Sequence, residues 1–420
     1  MQFQSMGLKQ HGIMPRHYTA LLHEYLGYFP CVGLIGPRQC GKTTLLGELG
    51  ANWTRFDLER QSDFEAISRD PDLFFRLHPD KVVIDEAQAY PALFQALRVS
   101  IDADRSRPGR FVITGSSSPQ LTRGISESLA GRIGLIEMGP FSLSEALEQT
   151  SSPFFEGLVE EWGPERFVNQ LRPRSAIEAL HEYWLWGGFP QPWVEGGGRF
   201  RQVWMEQYVQ TYLHRDIGAL FPGLNRNRFR GFIQSLAGLS GTILNYSEVG
   251  RALGVSQPTA RDYFEIADGS FLWRTVPAFT QTALRRVVKR PRGYLRDSGL
   301  LHHLLRISDL DLLLGHPQMG RSWEGMIVEQ ILRGLGAAGI PCEYSHYRTA
   351  NGAEVDLVLE GRFGTIPIEI KHGQTVRSRE LRAIHDFMDQ HDCRLGVVVN
   401  NDEHPRLYSP RVMGMPAACL

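Results

Sequence analysis

Cysteine is scarce in this 420-residue sequence, with five at positions 31, 40, 342, 393 and 419. An odd number without a C-x-x-C pair excludes a disulfide framework, lacks the spacing of a zinc site, and fits a reducing cytoplasm. A charge excess is also lacking, with 45 Lys and Arg against 46 Asp and Glu. A chain-wide electrostatic field is therefore excluded, and any nucleic-acid surface has to be a local patch. No apolar run is long enough to span a bilayer, and Met1 to Pro15 has no continuous apolar core of a signal peptide. The expectation is a cytoplasmic protein with no membrane partner. Internal repeats and low-complexity tracts are missing too. What remains, 42% hydrophobic and 22% charged residues, is the composition of an ordinary globular protein. The length exceeds what one core supports and predicts about two to three domains.

The most informative stretch is Gly36-Pro37-Arg38-Gln39-Cys40-Gly41-Lys42-Thr43, which fits the phosphate-loop pattern G-x-x-x-x-G-K-T. It follows the apolar run Cys31 to Ile35 and precedes a helical start at Thr44. Two glycines let successive backbone N–H groups turn inward around phosphate oxygens; Lys42 then reaches the β- and γ-phosphates and Thr43 holds Mg²⁺. Lys81 to Glu86 reads as a buried strand ending in two carboxylates, which a parallel sheet presents beside that loop. The chemistry divides them: Asp85 stays ionised at the metal, and Glu86 orients and polarises the attacking water. Strands are also expected at Trp53 to Leu58, Arg110 to Thr114 and Ile133 to Met138, with a helix capped by Ser62. In ring-type ATPases a polar residue ending the strand before Gly115 senses the γ-phosphate, and Ser116 and Ser117 stand there. Arg132 is either an arginine finger acting in cis or in a neighbouring subunit, or a salt-bridged surface residue.

The runs G-P-R-Q-C-G-K-T-T-L, V-V-I-D-E-A-Q, I-T-G-S-S-S and L-A-G-R followed by G-P-F-S-L-S-E resemble the AAA-type ATPases of bacteria and archaea that carry a C-terminal domain of unknown function. Trp186 to Pro190 and Tyr212 to Ile217 resemble that family's second signature region. The resemblance covers nearly the whole chain and implies ATP binding and slow hydrolysis.

Further along, Ser151 to Asn225 is helical and aromatic, the pattern of a small-helix lid packing on the ATPase. Helices are then expected from Phe229 to Leu239, Asn245 to Leu253 and Gln257 to Ala267, the last two joined by the turn Gly254-Val255-Ser256. This is a helix-turn-helix layout, with Ser256 as cap and Pro258 in the first turn. Gln257, Thr259, Arg261 and Asp262 are the polar types that meet bases and phosphates, and Phe271 to Val276 would start a wing. Arg285, Arg286, Lys289, Arg290, Arg292 and Arg296 form a local basic run. Protein docking is the competing use of such a fold.

The C-terminal third has a helix near Trp323 to Leu332, strands at Cys342 to Arg348, Glu354 to Leu359 and Ile366 to Lys371, a helix from Glu380 and a buried strand at Gly396 to Asn400. Glu369 and Lys371 share one strand face, and Asp356 can meet them from a neighbouring strand. The order resembles the PD-(D/E)XK nuclease core, which implies metal ligation by Asp356, Glu369 and a helix glutamate, Glu324 or else Glu329, with Lys371 positioning water. A plain Glu369–Lys371 salt bridge in an inert scaffold is the alternative.

The expected architecture is α/β: a phosphate-loop (AAA-type) parallel-sheet domain over 1–148, a helical lid over 149–225, a winged helix-turn-helix over 226–300 and a restriction-endonuclease-like domain over 301–420. Cofactors are ATP, gripped by Gly36 through Thr44, and Mg²⁺. Partners left open are DNA and further copies of the chain. The expected function is an ATPase coupling nucleotide state to DNA engagement; the alternatives are a nucleotide-switched regulatory protein and a ring-forming branch-migration motor.

Overall fold

Short buried apolar runs build the first sheet: β1 (Cys31–Ile35), β2 (Thr54–Asp57), β3 (Val82–Asp85), β4 (Phe111–Gly115) and β5 (Ile133–Glu137). In the computed structural model, which describes residues 14–116, 128–217, 224–280, 290–350 and 352–420, these strands lie parallel in the order β2-β3-β4-β1-β5. Helices cover the sheet, so the central strands β1 and β4 are apolar and buried nearly throughout. Because all five strands point the same way, the loops after β1, β3 and β4 emerge at one edge, where open α/β sheets hold ligands. Ser117, Arg285, Arg286 and Lys289 lie outside the described residues. The helix Gln61–Ser68 opens at Arg60 without a side-chain cap, and Ser62 turns its hydroxyl to Asp63 (3.2 Å) instead of capping.

The middle of the chain forms the helices Arg226–Leu239, Tyr246–Leu253 and Gln257–Gly269. Gly254 closes the second in the left-handed region (φ 64°), and the Ser256 hydroxyl accepts from Thr259 N (3.2 Å), so the turn and cap fall where the sequence places them. Beside them is a small antiparallel sheet of β6 (Thr242–Ile243), β7 (Trp273–Val276) and β8 (Arg292–Leu295), ordered β6-β8-β7. The third sheet is mixed: β9 (Cys342–Arg348), β10 (Glu354–Gly361), β11 (Gly364–Ile370), β12 (Gly396–Asn400), β13 (Arg406–Ser409) and β14 (Val412–Pro416), ordered β13-β14-β12-β11-β10-β9. The long helix Met319–Ala337 runs between this sheet and the rest.

The helical stretch after β5 meets the phosphate-loop domain through Pro190 and Val194 and divides its apolar side chains between two further cores. Phe154, Phe167, Leu180 and Trp184 share one core with Trp323, Ile327, Leu357 and Ile368 of the C-terminal part. Trp204, Tyr208 and Tyr212 instead join Phe229, Phe232 and Tyr263 of the helical middle. The aromatic density is thus core, and burying such rings is worth more than leaving them exposed for stacking. Among the described residues no helix is long and apolar enough to cross a membrane.

Candidate nucleotide site and carboxylate cluster

Gly36 leaves β1 against the end of β5, where a Cβ would fall 2.0 Å from Met138 O; no larger residue fits without moving the loop. Gly41 has φ 97°, and Gln39 is left-handed at φ 63°, a conformation costing a non-glycine residue roughly 1–2 kcal/mol. Lys42 is buried, its ammonium donating to Gly36 O and Pro37 O (3.0 Å each), which stretches the side chain across the loop. Arg16 ties the loop from behind, donating to Cys40 O (2.6 Å), Gly139 O (2.8 Å) and Glu145 (3.0 Å). Burial alone would raise the Glu145 pKa, but Arg16 and backbone donors hold it below the carboxylate range.

Opposite the loop, Thr43 Oγ1 donates to Asp85 Oδ2 (2.9 Å). The other Asp85 oxygen accepts from Thr114 Oγ1 and from Glu86 N (3.2 Å). Glu86 is itself left-handed (φ 53°), and its carboxylate accepts from Ser116 Oγ (2.7 Å) and Gln88 Nε2. Two strained non-glycine residues flanking one cleft is the pattern of a functional site. Asp57 stands in register with Asp85, and Glu59 lies near both, so four carboxylates gather at the ends of β2 and β3. Burial first, then Glu86, Asp57 and Asp85, raise the Glu59 pKa, while its Arg38 partner (3.0 Å) opposes the rise. The all-oxygen set of Thr43 and Asp85 suits Mg²⁺, and the surrounding negative charge favours a cation. Next to the loop lies a cavity of about 260 Å³ whose surface is mostly apolar, lined by Met14, Arg16, Gly41, Thr44, Leu45, Glu48, Phe141, Pro190, Gln191, Val194 and Glu195.

Gly36 to Thr44, Asp85, Glu86 and Ser116 therefore converge on one edge. Sequence reading missed Thr114, Gln88, Asp57 and Arg16. A polar residue ending a buried strand was the available signal for Thr114 and Asp57; Arg16 gave none. Arg132 does not join them. It precedes β5, at the sheet end opposite the phosphate loop, and pairs with Asp102 (2.7 and 2.9 Å), so the cis finger is ruled out by strand polarity.

The C-terminal expectation needs a larger correction. Glu324, Asp356 and Glu369 do approach one another, with Lys371 on Glu369. The guanidinium of Arg292, however, sits against Glu324 (2.6 Å) and Asp356 (3.4 Å), and among the described residues no set of acidic, histidine or cysteine side chains is disposed to hold a metal. Metal ligation by Glu324, Asp356 and Glu369 does not fit this arrangement. Two members of the basic run do not belong to a surface: Arg292 and Arg296 are buried in ion pairs, whereas Arg290 is exposed. Glu329 lies elsewhere, among Arg274, Arg296 (3.3 Å) and Arg333 (3.4 Å). Burial pushes its pKa up, but the three guanidiniums prevail and hold it at about 2. Arg274 and Arg296 also reach Glu137 of β5 (3.4 and 2.6 Å).

The uncharacterized protein Rv2008c of Mycobacterium tuberculosis is 33% identical over 405 residues, covering 96% of this chain and 83% of that protein. The chain belongs to the Rv2008c family. The uncharacterized protein Mb2031c of Mycobacterium bovis matches to the same extent. In this family member residues 28–147 match the AAA domain, 177–311 a domain of unknown function (DUF8612) and 319–420 a second one (DUF4143). Among solved structures, the Walker-type ATPase PABY2304 of Pyrococcus abyssi is similar at 18% identity and a TM-score of 0.42, over 71% of this chain and 97% of that one.

Proposed function

We propose that this protein is a Mg²⁺-dependent ATPase whose nucleotide state sets how its middle and C-terminal parts engage DNA. The observation that carries the hydrolytic half is the continuous set Thr43–Asp85–Thr114 and Glu86–Ser116 facing the phosphate loop. Bound there, Mg²⁺ would supply charge neutralisation at the β- and γ-phosphates. The chain's own residues do the rest. Loop N–H groups and Lys42 bind the phosphates, Thr43 and Asp85 would hold the ion, and Glu86 accepts a hydrogen bond from the attacking water and orients it. Ser116 and Gln88 fix the Glu86 carboxylate in the required direction. The apolar cavity past Thr44 would take the nucleobase.

Support for DNA contact is the exposed set Gln257, Arg261 and Asp262 on the helix after the tight turn, the winged-helix reading of that region. A second reading, a nucleotide-switched binding protein with an inert C-terminal part, is favoured by Arg292 lying among the carboxylates. ATP hydrolysis with and without duplex DNA separates the two. Glu86→Gln is expected to keep nucleotide and lose turnover by about a hundredfold or more, and Lys42→Ala to lose binding. Normal turnover in Glu86→Gln would remove the assignment of Glu86, and turnover indifferent to DNA would favour the second reading.

A further inference from the structure

Beside the edge strand of the first sheet lies a second cavity, of about 250 Å³, that the nucleotide reading does not use. Three parts of the chain wall it: Tyr18 and Glu137 from the phosphate-loop part, Arg274 on β7 and Arg296 just past β8, and Arg333 and Tyr344 from the long helix and β9. Three guanidiniums therefore face one lining carboxylate. Glu329, buried behind them, pairs with all three but leaves donors over. Arg296 directs Nε to Glu329 (3.3 Å) and Nη2 to Glu137 (2.6 Å), while its Nη1 has no acceptor among the described residues. Arg274 Nη1 donates to the Tyr344 hydroxyl (3.1 Å), whose own proton has no acceptor there either, and the same holds for the Tyr18 phenol. Arg296 and Tyr18 are 7% and 2% exposed, so the cavity is where their free donors can find a partner. Leu332, Leu335 and Ile340 make other parts of the wall aliphatic.

We propose that this cavity is a binding site for a small organic monocarboxylate with an apolar body, whose oxygens take the free donors of Arg296, Tyr344 and Tyr18. The volume is several times the roughly 30 Å³ of one liquid water, which gives room for an organic molecule. Arginine and phenol donors suit oxyanions, and the aliphatic wall suits a hydrocarbon body. Glu137 decides between the oxyanions: one acidic wall repels the two charges of a phosphate monoester more than the single charge of a carboxylate. Asp268, exposed at the end of Gln257–Gly269, feels Arg274 and Arg296 as well but lines no part of the cavity. A bound acid would touch the phosphate-loop part, the small sheet and the C-terminal part at once, clamping the end of β5 to the other two. This inference stands on the cavity and does not rest on the nucleotide reading.

The test is calorimetric titration of the full chain, without nucleotide, with hexanoate, uncharged hexanamide and phenyl phosphate. Hexanoate is expected to bind once per chain at about millimolar concentration or tighter, and the other two about tenfold or more weaker. Gly336 lies on the cavity wall with open space where a Cβ would go. Gly336→Leu therefore fills the cavity with every arginine in place and is expected to abolish hexanoate binding, while Lys42→Ala leaves it unchanged. Hexanoate that fails to saturate below about 10 mM, equal binding of hexanamide, or undiminished binding by folded Gly336→Leu would overturn the proposal. Loss in Lys42→Ala with retention in Gly336→Leu would move the acid to the phosphate loop and overturn it too, and tighter binding of phenyl phosphate would overturn the choice of a carboxylate. Tyr344→Phe, which removes one hydroxyl, is the second variant: about threefold weaker hexanoate binding supports the site, and unchanged binding opposes it.

Discussion

Replacing Glu329 by glutamine tests the electrostatic logic of the interior most directly. The side chain is 2% exposed and is the common ion-pair partner of Arg274, Arg296 and Arg333. Glutamine keeps the shape but removes the charge, leaving three buried guanidiniums with the half-exposed Glu137 as the nearest remaining carboxylate for two of them. Removing one partner of a buried ion pair costs about 3–5 kcal/mol. The shift in acidity gives a similar figure, since a carboxyl moved from 4.5 to about 2 corresponds to roughly 3 kcal/mol at 1.36 kcal/mol per pH unit. The sign follows from the depressed folded-state pKa. The stabilisation is complete above the unfolded value near 4.5 and disappears as pH falls through about 2. Urea unfolding of wild type and Glu329→Gln should therefore differ by about 3 kcal/mol at neutral pH, with the gap narrowing between about pH 5 and 2. A difference below about 1 kcal/mol at neutral pH, or one that does not change with acidification, would refute the reasoning.

Three smaller predictions concern the nucleotide site. Gly36→Ala places a Cβ 2.0 Å from Met138 O, so nucleotide affinity measured by a fluorescent ATP analogue should fall by about tenfold or more. Thr114→Val removes the hydroxyl that donates to Asp85 and accepts from Glu86 N (3.1 Å); the Mg²⁺ concentration for half-maximal turnover should rise while nucleotide binding without Mg²⁺ stays. Arg132→Ala should retain turnover within about twofold at protein dilution, since a residue at the far end of the sheet cannot reach the chain's own phosphates.

How much of this was legible in the sequence depended on how local the physics is. The phosphate loop and the Asp85–Glu86 pair are contiguous, and their placement follows once parallel strands are assumed, so they were readable. The turn from Gly254 to Ser256 was readable for the same reason, because its cap and its left-handed glycine are adjacent in the chain. Arg292 was not. Along the sequence it belongs to a basic run, and only partners 32 and 64 residues away, on the long helix and on β10, turn that surface feature into a buried one. The packing of Phe154 to Trp184 was hidden similarly, since an amphipathic helix states that it buries a face but not against what. The closing strands β13 and β14 gave little signal, because Arg406–Ser409 is short and partly exposed and Val412–Pro416 shows no alternation.

The tie between Glu137 and the two arginines of the small sheet has a practical corollary for anyone dissecting this chain. A fragment ending soon after β5 would keep Glu137 and Arg16 but strip away Arg274, Arg296 and the Gln330 amide oxygen that accepts from Leu143 N (2.7 Å). The segments matched separately by family models are thus joined through these contacts, and an excised ATPase fragment would lack the cations that face Glu137 at the end of its edge strand.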